Sequence, residues 1–385
     1  MKERYDVIVV GARCAGAATA LLLARQGHSV LLVDRGRIGD DILSTHYIHE
    51  AGIRRLEDWG LLDELRATGC PALTTSRHSI EGVIIEDVTG PDRRVAPYGP
   101  RRYVLDALIA RAAVAAGAEL LERASVRDLL RTGPAVSGIV VTRRHGPPLE
   151  LKATLVVGSD GARSTVARLA HARTYREYPA LTCGYYSYWS DLDCPAGLTI
   201  RDRRAAVTVP THEGTTCVGV AWPRRELPRI RQDIENEYLK VAEHLLPEFS
   251  GSPGRQRVER FYGSGDLSGF FREACGPGWA LVGDAGHRTD PIAASGITEA
   301  FHQAEMLARA AHHGLTHPSA MDDALRSFWK TRDARSDALH RATEVLASLA
   351  YSPGTLELIQ RPFTDDGKDS LAGILETLGR AGYRS

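Results

Sequence analysis

The sequence carries no excess charge of either sign. Lys plus Arg and Asp plus Glu stand at 48 each, for a formal net charge of zero. That excludes a nucleic-acid binder relying on a global basic field. The arginine pairs (Arg101-Arg102, Arg143-Arg144, Arg203-Arg204, Arg224-Arg225) are scattered, as solvated faces or ordinary ion pairs are. The six cysteines, at 14, 70, 183, 194, 217 and 275, include no C-x-x-C and no spacing with histidine of the kind that holds zinc. Reduced thiols in a cytoplasmic protein are the expectation. No apolar run reaches the ~20 residues a bilayer span needs. No apolar leader precedes the first strand pattern, so no secretory segment is expected either. Internal repeats and low-complexity linkers are absent, and 385 residues suffice for one large or two intergrown domains.

What is present is organised around the N-terminus. Tyr5 to Val10 is an apolar run that ends at Gly11. A helical pattern starts near Cys14 and runs to Gln26, with Gly27 as its C-cap. A second run, Ser29 to Val33, delivers Asp34. This is the pattern of a βαβ unit whose tight turn aims backbone N–H groups and a helix N-terminus at an anion, which suits a pyrophosphate. Gly11 allows the turn, Gly16 lets the helix pack close to the strand, and Asp34 stands where an acid accepts hydrogen bonds from a ribose. The second glycine of G-x-G-x-x-G is replaced by Arg13, which either pairs with a phosphate or points at solvent. Cys14 sits in the same turn, where its small size matters more than its sulfur. A plain βαβ turn without a ligand is the competing reading. The strand before, the helix after and the acid at the right distance weigh against it.

A polar loop from Arg35 to Asp41 leads to Ser44-Thr45-His46. Ser44 or Thr45 is a candidate N-cap. His46 is either a helix-start residue bonded to backbone or a functional histidine. Two short helices follow, broken at Trp59-Gly60. Strands of an antiparallel sheet are predicted at Ser79–Glu86 and Arg94–Ala96. A helix runs from Arg101 to Val114 and is closed by Gly117. Next come a strand at Ala118–Leu121, a β-meander over Ser125–Val141, and a strand at Leu151–Val157. That strand ends in Gly158-Ser159-Asp160-Gly161, a second strand-to-helix turn with Gly161 free to take positive φ. From Arg173 to Cys275 the pattern is mostly strands (181–189, 198–201, 205–209, 216–222, 258–262), interrupted by a helix at 230–246. Aromatics are only 6% of the chain, so the cluster Tyr185-Tyr186-Tyr188-Trp189 stands out. Alternation puts Tyr186 and Tyr188 on one face and Tyr185 and Trp189 on the other. The cluster is either sheet core or the wall of a flat apolar pocket. A third strand, from Trp279, ends in Gly283-Asp284. The Pro291–Gly296 stretch and a helix to about His313 follow it, again an anion-friendly arrangement. The remainder reads as helix, longest over Ser327–Leu349, with Arg332, Asp333 and Arg335 as surface charge.

These three turns, in this order and spacing, resemble the single-component FAD-dependent aromatic hydroxylases of the p-hydroxybenzoate hydroxylase-like fold. Flavin halogenases and geranylgeranyl reductases share that fold. The resemblance covers roughly residues 4–310. It implies an α/β architecture: a Rossmann-like FAD-binding domain (1–70, 101–172, 276–315), an intergrown antiparallel β-sheet substrate domain (71–100, 173–275) and a C-terminal helical region (316–385). It implies tight, non-covalent FAD bound by Gly11, Arg13, Cys14, Ala15, Gly16, Asp34 and Arg35 at the adenosine and phosphate end. Arg102 would lie near the phosphates, and Asp160 in the Asp-Gly motif would help bind the cofactor. Gly283 and Asp284 would hold the ribityl or ribose. Pro291, Ser295, Gly296 and Ile297 would run along the isoalloxazine ring, with Ser44, Thr45 and His46 beside it.

The sequence departs from the family at Arg13 and at Ala294-Ser295-Gly296, where the hydroxylases have G-Q-G. Asp290-Pro291…Ser295-Gly296 is nearer to halogenases and reductases, yet the halogenase W-x-W-x-I-P box is absent. No second nucleotide-binding unit appears, so NADPH or NADH would bind transiently. The first expectation is a monooxygenase of secondary metabolism. It would hydroxylate or epoxidise an aromatic or polyketide-like substrate with O₂ through a flavin C4a-hydroperoxide. His46, Tyr186 and Trp189 are the candidate catalytic or wall residues, and alternation lets only one of Tyr186 and Trp189 face the pocket unless a bulge intervenes. The alternatives are a halogenase or ene-reductase, and a redox-silent FAD scaffold or cyclase. No nucleic-acid partner is expected, and the C-terminal helices offer a homodimer face.

Overall fold

The computed structural model describes residues 2–40, 42, 44, 46–88 and 95–360. The chain opens with β1 (Arg4–Val10), α1 (Cys14–Arg25) and β2 (Val30–Val33), then α2 (Glu50–Asp58), α3 (Leu62–Ala67) and the hairpin β3 (Thr75–Ile80)–β4 (Val83–Val88). Next come α4 (Arg102–Ala115), β5 (Glu119–Leu121), the meander β6 (Ala124–Thr132), β7 (Ala135–Arg143) and β8 (Leu149–Gly158), and α5 (Thr165–Leu169). The strand-rich stretch holds β9 (Thr174–Tyr178), β10 (Thr182–Ser190), β11 (Gly197–Arg201), β12 (Arg204–Pro210) and β13 (Thr216–Pro223). Helices α6 (Leu227–Ile230), α7 (Ile234–Leu245) and α8 (Pro247–Gly251) follow, then β14 (Gln256–Arg257), β15 (Tyr262–Ser264), β16 (Gly269–Arg272), β17 (Cys275–Gly276), β18 (Trp279–Leu281) and β19 (His287–Arg288). The described chain ends in α9 (Gly296–Thr316), α10 (Met321–Ala347) and α11 (Pro353–Gln360).

The first sheet has the order β17-β18-β8-β1-β2-β5, with β7 paired to β8 and β6 to β7. Its centre is parallel (β18, β8, β1, β2, β5), and the meander is antiparallel. Val7, Ile8, Val9, Leu31, Leu32, Val156 and Val157 are fully buried, because helices cover one face and the meander the other. Helix α1 is apolar nearly all round and packs against α4 and α9 in one core, as such a helix must. The second sheet has the order β14-β10-β13-β12-β11-β3-β4, with β15 also on β10. It is antiparallel except where β11 runs parallel to β3. A small third sheet, β19-β16-β9, packs beneath α10.

The structure corrects several boundaries. The helix expected at 230–246 starts at Ile234, where the Asp233 side chain accepts the Asn236 N–H and caps it. The single strand expected at 258–262 is instead the pair β14 and β15 flanking irregular chain. Arg94 lies outside the described residues, and Val95-Ala96 is not strand. The main correction is Arg332. It is fully buried, not surface charge, and bonds backbone carbonyls of two elements.

Candidate functional site

Three turns meet at the carboxyl ends of the parallel strands, where ligands of open α/β sheets bind. They follow β1, β8 and β18. A Cβ on Gly11, whose φ is +103°, would lie 2.5 Å from the Ser159 carbonyl oxygen. One on Gly16 would lie 1.8 Å from the Gly11 oxygen. The Ser159 hydroxyl spans the two turns, within 2.8 Å of the Val10 and Gly11 carbonyls. Backbone contact of this kind leaves room only for glycine.

The turns open into a cavity of about 730 Å³ that reaches across to the second sheet. Of the residues predicted to bind cofactor, Gly11, Arg13, Cys14, Ala15, Asp34, Arg35, Ser44, His46, Arg102, Asp160, Gly283, Asp284, Pro291, Gly296 and Ile297 line it. Gly16 and Ser295 stand behind the lining, where Gly16 fixes the packing of α1. Thr45 lies outside the described residues.

Asp34 accepts the Ala12 N–H through Oδ2 and the Gly36 N–H through Oδ1, each at 2.8 Å. A carboxylate has about four acceptor positions, so both oxygens retain capacity for ribose hydroxyls. Arg13 has a buried Nη1 with no hydrogen-bond partner. Arg102 is held by Asp106 one turn along α4, with Nη2 to Oδ1 at 3.0 Å and to Oδ2 at 3.1 Å. The Cys14 thiol donates to the same carboxylate at 3.2 Å. Burial works against the charge on Arg102, but the Asp106 carboxylate paired with it opposes that cost, and its pKa ends raised. Burial pushes the Cys14 thiol up, so it stays protonated. Asp106 was not anticipated from the sequence. Its i, i+4 spacing from Arg102 was the available signal.

Asp160 has a local task. Oδ1 accepts the Ser164 hydroxyl and Oδ2 the Thr165 N–H at 2.6 Å, which ties the turn to the start of α5, where Ser164 is the cap. Asp284 is exposed, and its side chain opens onto the cavity. Desolvation raises its pKa, and Arg288 and Arg102 oppose the rise. Asp290 also lines the cavity and accepts the Thr182 hydroxyl at 2.6 Å and the Ile292 N–H at 3.0 Å. Desolvation raises its pKa as well. Gln303 of α9 accepts the Gly283 N–H at 2.9 Å. No local pattern marks Thr182 or Gln303, because each reaches the site from a distant element.

His46 is fully buried and left-handed, with φ +65°. Its Nε2 pairs with the Tyr188 hydroxyl, and its buried Nδ1 has no hydrogen-bond partner. Burial first, then Arg102, Arg101 and His212, hold its pKa well below the usual imidazole value. Ser44 is not a helix cap. Its hydroxyl accepts the His46 N–H at 3.1 Å, and α2 starts later, at Glu50. The Ser44 N–H donates to the Tyr186 hydroxyl at 3.0 Å, so two tyrosines of β10 pin this segment to the sheet.

The aromatic cluster divides. Tyr186 lines the cavity, as does Tyr185. Trp189 does not, which corrects its assignment as a wall. Its Nε1 donates to the Tyr238 hydroxyl at 3.0 Å, its ring stacks on Tyr238, and Phe249 packs edge-on at 4.8 Å. The sheet end is otherwise small and apolar: Leu198, Ala205, Ala206, Val207, Gly219 and Ala221.

The residues present fit FAD. The orphaned Arg13 nitrogen, the α1 N-terminus and the glycine turn together make a receptor for a pyrophosphate, and Asp34 has acceptor capacity for a ribose.

Known proteins agree. The chain is 27% identical over 379 residues to 6-methylpretetramide 4-monooxygenase of Streptomyces rimosus, covering 93% of this chain and 87% of that protein. It is 25% identical over 346 residues to digeranylgeranylglycerophospholipid reductase of Methanosarcina acetivorans, covering 86% and 81%. Its fold superposes on the flavin-dependent brominase Bmp2 with a TM-score of 0.84 at 18% identity, covering 99% and 98%. No helix among the described residues is long and apolar enough to cross a membrane. Residues 4–343 match the FAD binding domain family, and the chain belongs to it, on the p-hydroxybenzoate hydroxylase-like fold that monooxygenases, halogenases and reductases share.

Proposed function

We propose that the protein is an NAD(P)H-dependent FAD monooxygenase that hydroxylates or epoxidises an aromatic or polyketide-like small molecule. The observation that carries this reading is the unbroken cavity. It runs from the phosphate-binding turns, past the Pro291–Ile297 loop, to a floor of small apolar residues beside Tyr185 and Tyr186. A flat, weakly polar molecule fits that floor. The similarity to a monooxygenase over nearly the whole of both chains supports it.

FAD, when bound, supplies hydride acceptance from NAD(P)H and oxygen transfer from O₂. The chain's own residues bind, orient and exclude water. The N-terminus of α9 at Gly296 opens on the cavity and favours negative charge there. His46 is held neutral by burial and its positive neighbours, with Nε2 engaged by Tyr188, so it serves as a hydrogen-bonding part of the cavity wall and not as a store for a substrate proton. The apolar residues of the floor disfavour water beside the reacting group. A reductase acting on an alkene is the second reading, favoured by the likeness to the archaeal reductase. Absence of a W-x-W-x-I-P box sets halogenation behind both.

The test is the visible spectrum of the purified protein under anaerobic NADPH and then NADH, followed by oxygen uptake with candidate aromatics. Bleaching by either nucleotide, with halide-independent oxygen uptake that matches hydroxylated product, is the expected result. Oxygen-independent saturation of an alkene would transfer the assignment to the reductase. A flavin that stays oxidised with every nucleotide and substrate would end both readings.

A further inference from the structure

We propose that Arg332, in the C-terminal helix α10, is a positioning residue for the cofactor turn Gly283–Gly286 and sets the affinity for FAD. The proposal rests on membership of the FAD-binding family and holds whichever reaction the flavin performs.

Arg332 is fully buried, and its guanidinium is engaged on every nitrogen. Nε and Nη2 donate to Asp333 Oδ1 at 3.0 and 2.7 Å. Nη1 donates to the Gly286 carbonyl at 3.2 Å. Nη2 also reaches the Arg272 carbonyl at 2.8 Å and the Tyr175 hydroxyl at 3.1 Å. It thus ties α10 to β16, β9 and the cofactor turn at once.

The turn it grips is held at both ends by side chains and backbone of other elements. Gln303 takes the Gly283 N–H. Arg272 Nη1 takes the Ala285 carbonyl at 2.7 Å, and the Arg272 N–H takes Gly286 O at 2.9 Å. Arg332 adds a second donor to that same Gly286 oxygen. The carbonyls of Ala285 and Gly286 are therefore each bound by a guanidinium. Between these clamps stands Asp284, whose carboxyl opens onto the cavity. A Cβ on Gly286 would come within 2.7 Å of Arg332 Nη1, so the turn and the guanidinium are fitted to each other.

Burying a guanidinium costs several kcal/mol unless each donor is satisfied. A stability role alone needs only a packed apolar side chain here. A charged fork becomes useful where a carbonyl-rich turn must be held at a fixed place, because planar fixed donors hold angle as well as distance. A displacement of about 1 Å in the turn carries Asp284 out of hydrogen-bond reach of its ligand. Lysine at 332 retains the charge and one or two donors but not the fork.

The test compares four variants by two measurements on the full-length chain. Apo protein is titrated with FAD by quenching of flavin fluorescence, and the apo thermal midpoint is recorded alongside. Arg332→Lys is expected to weaken FAD at least tenfold, and Gly286→Ala, which pushes against Nη1, is expected to do the same. Leu325→Ala, a core truncation on the same helix, is expected to lower the thermal midpoint while leaving the FAD dissociation constant within twofold. If Arg332→Lys binds FAD within twofold of the native chain, the proposal is wrong. It is equally wrong if Leu325→Ala weakens FAD as much as Arg332→Lys does, since the effect would then be general loosening. Arg332→Met gives the full loss if it folds, and the two milder variants decide the matter if it does not.

Discussion

At its glycine-turn end the cavity is walled by backbone, and at its sheet end by side chains. Gly16 and Gly219 show what that means. Both are glycines at the site, and both would seat a new Cβ too close to a neighbour. At Gly16 the neighbour is the Gly11 carbonyl oxygen, 1.8 Å away; at Gly219 it is the Val207 Cγ1 methyl, 2.8 Å away. A carbonyl in a turn that also abuts Ser159 cannot move without moving the strand. A valine methyl can turn aside. One end of the cavity is therefore fixed in shape, while the other can be re-cut. A common cofactor at the first end and a changeable substrate at the second is what such a difference permits.

The strongest way to break this contrast is Gly16→Ala. The added methyl has no room, so α1 must back away from β1. The expected loss is about 3 kcal/mol or more. The urea midpoint would fall, and the purified protein would be nearly colourless. Retention of full FAD content would show that the turn end is no more rigid than the sheet end.

Arg13→Ala acts at the same end without touching its packing. It removes the buried nitrogen that has no hydrogen-bond partner. A charge-assisted bond to a phosphate is worth about 1.5–3 kcal/mol. FAD affinity, read by fluorescence titration, is expected to fall roughly ten- to hundredfold by that arithmetic. The thermal midpoint of the apo chain should rise or stay level, because a buried nitrogen without a hydrogen-bond partner leaves with it. Unchanged affinity would place Arg13 outside the cofactor contacts and leave the departure from G-x-G-x-x-G without a function.

The two ends also differ in how far each could be read from sequence. The turn end is encoded within short windows. Gly11, Gly16 and Asp34 specify one βαβ unit, and the turns at Gly158–Gly161 and Gly283-Asp284 repeat its strand-turn-helix logic. The Rossmann-like sheet, the meander and most strands followed from these windows and from alternation. The sheet end is encoded by register between strands far apart in the chain. Tyr186 faces Gly219 across β10 and β13, and Val207 faces Gly219 across β12 and β13. No local window contains those pairs. Trp189 was misjudged for the same reason, since the side of β10 that meets solvent, cavity or α7 depends on where α7 docks. Arg332 was misjudged because a lone arginine among helical charges carries no sign of burial.

Behind both ends, beneath α10, lies a region that titration can separate from them. His340 is buried with neither ring nitrogen hydrogen-bonded, and burial lowers its pKa to about 4. His49 and His78 are likewise lowered to about 4, and His302 to about 3, each chiefly by burial. A depressed folded pKa means that the unfolded chain takes up the proton first. Stability is therefore full above about pH 6.5 and falls as pH drops toward 4, by up to about 1.4 kcal/mol per pH unit for each such histidine. Asp284, Asp290 and Glu299 have raised values and act in the opposite sense. A single substitution isolates one contribution. His340→Leu removes a ring facing Arg176, Arg341, Asp337, Glu344 and His287. It should stabilise the chain by about 1 kcal/mol at pH 7, since an unpaired buried polar group is lost. It should also flatten the acid limb of a urea-midpoint series between pH 6.5 and 4. An acid limb identical to that of the native chain would mean that His340 has a partner in solution.

The smallest effect tests the comparison most directly. Gly219→Ala adds one methyl at the floor of the sheet end, in a strand position where alanine is favoured over glycine by roughly 0.5–1 kcal/mol. That gain offsets most of the cost of turning Val207 aside. Net stability should change by less than about 1 kcal/mol. FAD content and affinity should not change, because no element of the glycine-turn end touches β13 at this position. Only the floor rises, so the expected signature is an altered KM for large substrates, roughly three- to tenfold, with little change in kcat. Were FAD affinity to fall together with KM, the two ends would be mechanically one, and the contrast between a fixed cofactor end and an adjustable substrate end would have to be given up.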